Sequence, residues 1–349
     1  MRDRARELLA MQPIVEGKPM AMLALARQLP AIGQRALALD MIRRALALAP
    51  SDGEVRALAT ELLSDGVHTW HFSIVRDEAR NRVYDTALRN AIFPGCTVLE
   101  IGTGTGLLAM MAARAGAARV ITCEVDPAVA AAARDNIAVN GFADRVTVVN
   151  KHSTRLELGD VGGQADILVS EIVSNDLLSE GALPAHEDAV PRLLKPGGAV
   201  IPVRGRIRIA LMDDGGAAQP DLGLIDSFDL SAFNRLRRPY RDIPVGSPAI
   251  TLRSAATDLF AFDFANGPWR GDRCETRIAS QGGRVTGVVQ WIALDLDDRE
   301  HYENHPGPGA ASCWGAIFWP FARPVMSAPG EYLAIGACHE RNRVRIWLG

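Results

Sequence analysis

A strand that runs into three glycines and then a helix constrains this chain more than any other feature. Residues 97–106 read Thr-Val-Leu-Glu-Ile-Gly-Thr-Gly-Thr-Gly, with Gly102, Gly104 and Gly106 in alternation. Glycine permits a tight turn at positive φ and lets backbone N–H groups approach a ligand at the start of the next helix. Further β-branched, apolar runs follow at 119–125, 145–151 and 165–172, and the intervening Ala-rich stretches 107–115 and 127–140 read as helical. Strands alternating with helices imply parallel strands joined by right-handed crossovers, hence a doubly wound α/β sheet. Its ligand belongs beyond the carboxyl ends of the strands.

The glycine turn alone leaves a dinucleotide, a nucleoside or a bare turn open. The dinucleotide pattern GxGxxG, counted from Gly102, would need glycine where Leu107 stands; counted from Gly104, it would need one where Ala109 stands. There is no GK[ST] sequence after the turn, so a phosphate-binding P-loop is excluded. Glu124 ends the next strand, where a carboxylate can accept hydrogen bonds from both hydroxyls of a ribose. Asp126 is the poorer candidate, because Pro127 starts a helix beside it. After the fourth strand comes Ser170-Glu171-Ile172-Val173-Ser174-Asn175-Asp176-Leu177-Leu178-Ser179-Glu180-Gly181. Glu171 and Glu180 lie nine residues apart on one loop. Two carboxylates in one pocket suit a guanidinium, which offers five donors in a fixed fork. Taken alone, the pair also fits a solvated loop.

The flanking regions read differently. Residues 1–66 are Ala/Leu-rich and helical, with Met22, Leu25, Ala26 and Leu29 on one face, and Leu37, Leu39, Met41, Ile42, Leu46 and Leu48 in a second periodic run. The Ala-Leu-Ala-Leu-Ala-Pro ending at Pro50 resembles a tetratricopeptide repeat, but only one to one and a half repeats fit, too few to bury a core alone. A helical cap on the next domain is expected. From about residue 200, short apolar runs separated by Gly/Pro/Asp clusters imply antiparallel β structure, a barrel or sandwich. The expected division is 1–66, 67–202 and 203–349.

Composition excludes several functions. The 349 residues carry a formal net charge of −3, where a duplex-coating protein would be basic, so nucleic acid is not expected as the main partner. No apolar run reaches the ~18 residues that a membrane-spanning helix needs. The N-terminus has no secretory pattern, and the five cysteines (Cys96, Cys123, Cys274, Cys313, Cys338) are odd in number and scattered, which suggests free thiols in a reducing cytoplasm. No His/Cys cluster has zinc-site spacing, so no metal is expected.

Glu100, Gly102, Gly104 and Gly106, with Glu124 one strand later, resemble the first two motifs of the S-adenosylmethionine-dependent methyltransferases with a Rossmann-like sheet. The loop from Glu171 to Glu180 is similar to the double-glutamate loop of the protein arginine methyltransferases. The segment from Trp70 to Asn81, Asn150-Lys151-His152-Ser153-Thr154, and the Glu-Gly-Ala-Leu-Pro run ending at Pro184 resemble that family's divergent branches, one monomethylating and another bearing tetratricopeptide repeats. The resemblance spans roughly residues 68–349.

It implies S-adenosylmethionine as cofactor. Arg80 would meet its methionyl carboxylate, Gly102 and Gly104 its adenosyl group, Glu124 its ribose, and the His152–Ser153 turn its adenine. Glu171 and Glu180 would clamp the substrate guanidinium, with His71 helping to position these groups. It also implies a β-barrel second domain with a dimerisation arm near 228–250, carrying Phe228, Phe233 and Leu236, and hence a homodimer. Asp176, between the two glutamates, and the stiff Ile74 imply a monomethylated product. The substrate would be an arginine in a protein or peptide; free L-arginine is the alternative, and a catalytically silent adapter using the helical repeat is a third reading.

Two departures stand out. Ser312-Cys313-Trp314 occupies the place of the family's Thr-His-Trp loop, which closes over the substrate. Unless its pKa is strongly lowered, Cys313 is neutral at neutral pH and cannot make the ion pair that the missing histidine would form with Asp77; either His301 or His305 substitutes, or the contact is absent. Asp65 and Gly66 stand where the family has an aromatic pair, so the lid over the cofactor falls to another element, with the helical cap as the candidate.

Overall fold

A computed structural model describes residues 2–216 and 221–349. Four helices come first: α1 (Arg2–Val15), α2 (Pro19–Ala26), α3 (Arg35–Leu48) and α4 (Gly53–Ser64). Asp52 starts α4 by accepting from the Glu54 and Val55 N–H groups. Met22, Leu25, Ala26 and Leu29 pack inward with Met41, Ile42, Val55 and Ala59, giving these helices a small core of their own. The second run is less uniform, since Leu48 is exposed.

After α5 (Trp70–Ile74) and α6 (Glu78–Ala91) the chain enters β1 (Thr97–Ile101). Then come α7 (Leu107–Ala115), β2 (Arg119–Cys123), α8 (Pro127–Val139), β3 (Val146–Val149), α9 (Leu158–Val161), β4 (Ala165–Ser170), α10 (Ala182–Leu193) and β5 (Leu194–Ile201). The five strands form one parallel sheet in the order β3-β2-β1-β4-β5. Val98, Leu99, Val120, Ile121, Ile167 and Leu168 are buried, as strands covered on both faces by helices should be. The winding reverses beside β1, which has β2 on one side and β4 on the other. That switch point opens a crevice at the carboxyl ends of the strands. Glu124 and Glu171 are the first residues past β2 and β4, so the strand ends deliver both to that crevice.

The remainder is antiparallel. Its strands are β6 (Arg204–Asp213), β7 (Leu224–Ile225), β8 (Phe228–Asp229), β9 (Arg241–Ile243), β10 (Thr251–Leu252), β11 (Thr257–Asp263), β12 (Asp272–Ala279), β13 (Gly283–Asp295), β14 (His301–Glu303), β15 (Ala316–Ser327), β16 (Tyr332–His339) and β17 (Val344–Leu348). A seven-stranded sheet follows the path β10-β6-β13-β15-β9, with β11 on β6 and β14 on β13. A second sheet runs β12-β16-β17, and β7-β8 is a separate hairpin. The expected barrel does not close among the described residues. After β11, β12 pairs with β16 instead of continuing the ladder on β6, so the two larger sheets keep separate edges. Along β13, Val288, Ile292 and Leu294 join the main core, while Val289 and Trp291 join a smaller cluster with Phe318 on the opposite face. Around the short hairpin, Leu224, Ile225, Phe228, Phe233 and Leu236 stand exposed.

Candidate active site

The glycine turn holds its shape because only glycine fits. Gly102 sits at φ +88°, and a Cβ there would stand 2.7 Å from the Ile172 side chain. The Gly102 and Thr103 N–H groups donate to the Cys123 carbonyl, at 3.1 Å each. Thr103 and Thr122 share a buried hydroxyl contact of 2.6 Å. The turn is therefore tied to the end of β2 beside Glu124. One Glu124 oxygen accepts from Gly104 N at 3.1 Å and the other from Asp126 N at 3.0 Å. Burial raises its carboxyl above the usual range, while these backbone donors oppose the shift.

These residues line a cavity of about 570 Å³. His71, Arg80, Glu100, Gly102, Gly104, Glu124, His152, Ser153, Glu171 and Glu180 all face it, so one space gathers nearly every residue expected around the cofactor and the guanidinium. Gly106 does not; it caps α7 in the left-handed conformation. Glu100 is almost fully buried, and burial pushes its carboxyl up to about 8. His71 packs on Trp70, with ring centroids 3.9 Å apart, and its Nδ1 lies 3.8 Å from where a Gly104 Cβ would be. Its place is over the glycine turn, and burial holds its imidazole below the usual value.

Asp77 starts α6 by accepting from Arg80 N at 2.9 Å. One turn of that helix then carries the Arg80 guanidinium to Glu171, Nη2 to Oε2 at 2.7 Å, with both side chains buried. Among the described residues, Arg80 Nε and Glu171 Oε1 have no partner. The other Asp77 oxygen accepts from Tyr302 Oη at 2.6 Å and from Cys313 N at 2.9 Å. Burial works against ionisation here, but the donors outweigh it and hold the carboxyl below its usual range. Tyr302, not His301 or His305, thus meets Asp77. Strand alternation on β14 turns Tyr302 inward and leaves His301 exposed, and His305, beyond the strand, is exposed as well. Residues 301–305 already show that signal, with Tyr302 standing between polar neighbours.

Within the glutamate loop, Asp176 Oδ1 accepts from Ser174 Oγ at 2.5 Å and from Ser179 N at 2.9 Å, folding the loop back on itself. Leu177, at φ +71°, is buried at the bend. Burial, with Glu171 and Asp176 adding like charge, pushes the Glu180 carboxyl up to about 7. Glu180, Trp70 and Ile74 also line a second cavity of about 350 Å³, together with Asp176, Asp242, Cys313 and Trp314. Trp314 Nε1 donates to the Val173 carbonyl at 2.9 Å, and Ser312 meets Tyr302 Oη at 2.6 Å. The Ser312–Trp314 loop is therefore bound to the glutamate loop on one side and to the Asp77 cluster on the other. Sequence reasoning passed over Tyr302, and also Asn175, which accepts from Gly315 N at 2.9 Å and so joins the two loops.

The residues present fit S-adenosylmethionine. Unpartnered atoms on Arg80 and Glu100, a donor and an acceptor, belong to residues facing the cavity, as a polar ligand with a carboxylate and hydroxyls requires.

Comparison with known proteins agrees with this geometry. Residues 85–203 match the family model described as "Ribosomal protein L11 methyltransferase (PrmA)". The chain is 35% identical over 317 residues to an "Arginine N(omega)-methyltransferase" of Streptomyces achromogenes subsp. streptozoticus, covering 89% of this chain and 86% of that protein. It is 31% identical over 283 residues to "Protein arginine N-methyltransferase 7" of Danio rerio, covering 72% of this chain and 39% of that one. The chain thus spans most of the first relative and well under half of the second. Among solved structures, the Trypanosoma brucei PRMT1 enzyme–prozyme heterotetrameric complex with AdoHcy superposes with a TM-score of 0.70 at 22% identity, over 78% of this chain and 88% of that one. Arabidopsis thaliana protein arginine methyltransferase 10 gives 0.64 at 17% identity, over 82% and 99%. Fold and site define an S-adenosylmethionine-dependent methyltransferase. The chain belongs to the protein arginine methyltransferase family and is an arginine N-methyltransferase.

Proposed function

We propose that this enzyme transfers one methyl group to a guanidino nitrogen of a protein-borne arginine, with Glu171 and Glu180 as its catalytic pair. The observation that carries this reading is the shared wall between the two cavities. Glu180 faces both the cofactor cavity and the outer one. The outer cavity continues, through Asp242, Cys313, Trp314 and Gly315, into an open groove of about 760 Å³ beside β9. A groove of that extent suits a chain on either side of the arginine.

Bound at the glycine turn, S-adenosylmethionine would supply an activated methyl group, held by Arg80, Glu124 and the His152–Ser153 turn. Arginine is a poor nucleophile, because its lone pairs are delocalised and it stays protonated. Glu171 and Glu180 draw the charge onto the nitrogens that are not methylated and aim the remaining one at the methyl carbon, so that its new bond to carbon would form as the sulfur–methyl bond breaks, with a neutral thioether leaving and the methylated nitrogen giving up one proton. Orientation and preorganised charge each contribute several kcal/mol. Cys313 and Trp314 form the outer rim, and Glu100 lines the cofactor cavity.

We further read residues 1–66 as a tetratricopeptide-like cap, 67–202 as the cofactor domain and 203–349 as the substrate domain. The exposed apolar side chains near 228–236 suit a homodimer arm. No described helix is long and apolar enough to cross a membrane. All five cysteines are free, which favours the cytoplasm.

A second reading has one observation behind it. The relative matched over most of both chains is named for arginine, without the word protein. Incubation with labelled S-adenosylmethionine separates the two. Label in an arginine-rich peptide but not in free L-arginine supports the first; the reverse supports the second.

A further inference from the structure

The reaction leaves the N-terminal helices without a part, yet one of their side chains reaches the cofactor cavity. Arg35 opens α3 and donates from Nη1 to Asp126 Oδ2 at 2.9 Å. Asp126 lies two residues past Glu124, and its other oxygen starts α8 by accepting from the Ala128 and Val129 N–H groups. The contact therefore runs from the helical cap to the loop that carries Glu124. Arg35 lines the same cavity as Glu124, together with Gly66 and His68 of the segment joining α4 to α5. Gly66 sits at φ +80°, and a Cβ there would stand 3.5 Å from Arg35 Nη2, so this segment passes directly against the guanidinium. Two turns further along α3, Arg43 pairs with Asp135 of α8 at 3.4 Å. Arg43 is not among the residues lining the cavity. Among the described residues, two ion pairs thus tie the cap to α8, and of their two arginines Arg35 lines the cavity while Arg43 does not.

We propose that Arg35 is a cofactor-positioning residue, and that through it the helical cap closes the ribose side of the S-adenosylmethionine site. Glu124 and Asp126 are like charges two residues apart. A carboxylate beside another resists ionisation, whereas a guanidinium on one of them relieves the other. Arg35 sets a positive charge on Asp126 beside Glu124, whose two oxygens, each holding one backbone N–H, keep lone pairs for the ribose hydroxyls. The same guanidinium forms part of the wall that a leaving nucleoside must pass. Asp126, the weaker ribose candidate by sequence, acquires a role as the anchor of this clasp.

The test uses the full chain and S-adenosylhomocysteine as probe. Calorimetry gives the affinity, and stopped-flow fluorescence gives the dissociation rate, with Trp70 of the cavity wall as reporter. The contact is half exposed, so its effect is moderate. Arg35→Ala should weaken binding about three- to tenfold, chiefly by faster dissociation. Arg35→Lys should recover most of the loss. Arg43→Ala should bind within about twofold of wild type, since surface pairs contribute little. Thermal melts of the ligand-free variants should match wild type. Arg35→Ala with wild-type affinity and dissociation rate would overturn the assignment. So would an equal loss in Arg43→Ala, which would assign the effect to cap docking as a whole. Failure of the wild-type chain to bind the probe would instead remove the cofactor assignment itself, and this inference with it.

Discussion

Arg80 and Glu171 form a buried ion pair, Nη2 to Oε2 at 2.7 Å, on the wall of the cofactor cavity. The family resemblance assigns these residues to different ligands, the cofactor carboxylate and the substrate guanidinium. The contact links the two in series. Arg80 supplies charge that offsets part of the burial of Glu171, whose carboxyl is still pushed up to about 7, and among the described residues its Oε1 has no partner. In the proposed clamp, that oxygen would be the acceptor for a substrate nitrogen.

Glu171→Gln and Glu180→Gln should therefore differ. Each should lower turnover by about two orders of magnitude or more, the size of losing a preorganised charge contact. Glu171→Gln also leaves Arg80 buried and unneutralised, which should cost about 3–5 kcal/mol of stability. Among the described residues Glu180 has no such partner, so Glu180→Gln should melt close to wild type at pH 6 and no lower than wild type above pH 7. Denaturant titration beside steady-state assays checks both; equal stabilities would mean that the pair is dispensable to the fold.

Glu124→Ala should weaken S-adenosylhomocysteine binding by about 1–3 kcal/mol, the range for hydrogen bonds to a charged group. Its carboxylate also holds the Gly104 and Asp126 N–H groups, so the loss should exceed that of Arg35→Ala. Calorimetry on both variants gives the order, and unchanged affinity in Glu124→Ala would move the ribose contact elsewhere.

Activity should rise with pH. In the proposed clamp Glu180 must be ionised to hold a guanidinium, and burial with neighbouring like charge puts its carboxyl at about 7. The substrate stays cationic throughout, so kcat/KM should climb through pH 7 and level off above it, the apparent midpoint belonging to the coupled Glu171–Glu180 pair. Stability should move the other way. A carboxyl raised above its unfolded value of 4.5 adds stability below that value and loses it as pH rises through about 7. A rate profile that is flat from pH 6 to 8 would remove Glu180 from the clamp.

The sheet and its crevice were legible because their signals are local. The glycine turn, the β-branched runs, Glu124 and Glu171 need only chain order to find their places. Tyr302, Asn175 and Arg35 were not legible, because each meets its partner across a long stretch of chain. Tyr302 reaches Asp77 across 225 residues, Asn175 reaches Gly315 across 140, and Arg35 reaches Asp126 across 91. The open edges of the β region were hidden for the same reason. Alternation predicts strands, but the choice of β16 as partner for β12 is a tertiary contact.

The region around 228–236 should mediate self-association. Phe228, Phe233 and Leu236 are 69%, 65% and 73% exposed within a few residues of one another, an apolar patch that a lone chain in water would not favour. Sedimentation should show a dimer at micromolar concentration, and Phe233→Glu with Leu236→Glu should shift it to monomer. A wild-type monomer under those conditions would leave the patch for another partner.

Monomethylarginine should be the dominant product. A second transfer needs space for the methyl already present and rotation of the substituted nitrogen toward the cofactor. Ile74 faces both cavities, and its β-branched side chain has little freedom to yield. Asp176 faces the outer cavity, where its charge can hold a nitrogen that would otherwise turn inward. Its Oδ1 also braces the loop, so Asp176→Ala would confuse loss of charge with loss of the turn. Asp176→Asn keeps an oxygen in that place and removes only the charge. Discrimination against one methyl group amounts to about 1–3 kcal/mol, so a minor dimethyl product is compatible with the design. Mass spectrometry after long incubation with excess cofactor should show the monomethyl species in large excess, with dimethyl product growing in Ile74→Ala and in Asp176→Asn. A dimethyl product that dominates in wild type would refute the expectation. A product ratio unchanged in both variants would place the limit elsewhere in the pocket.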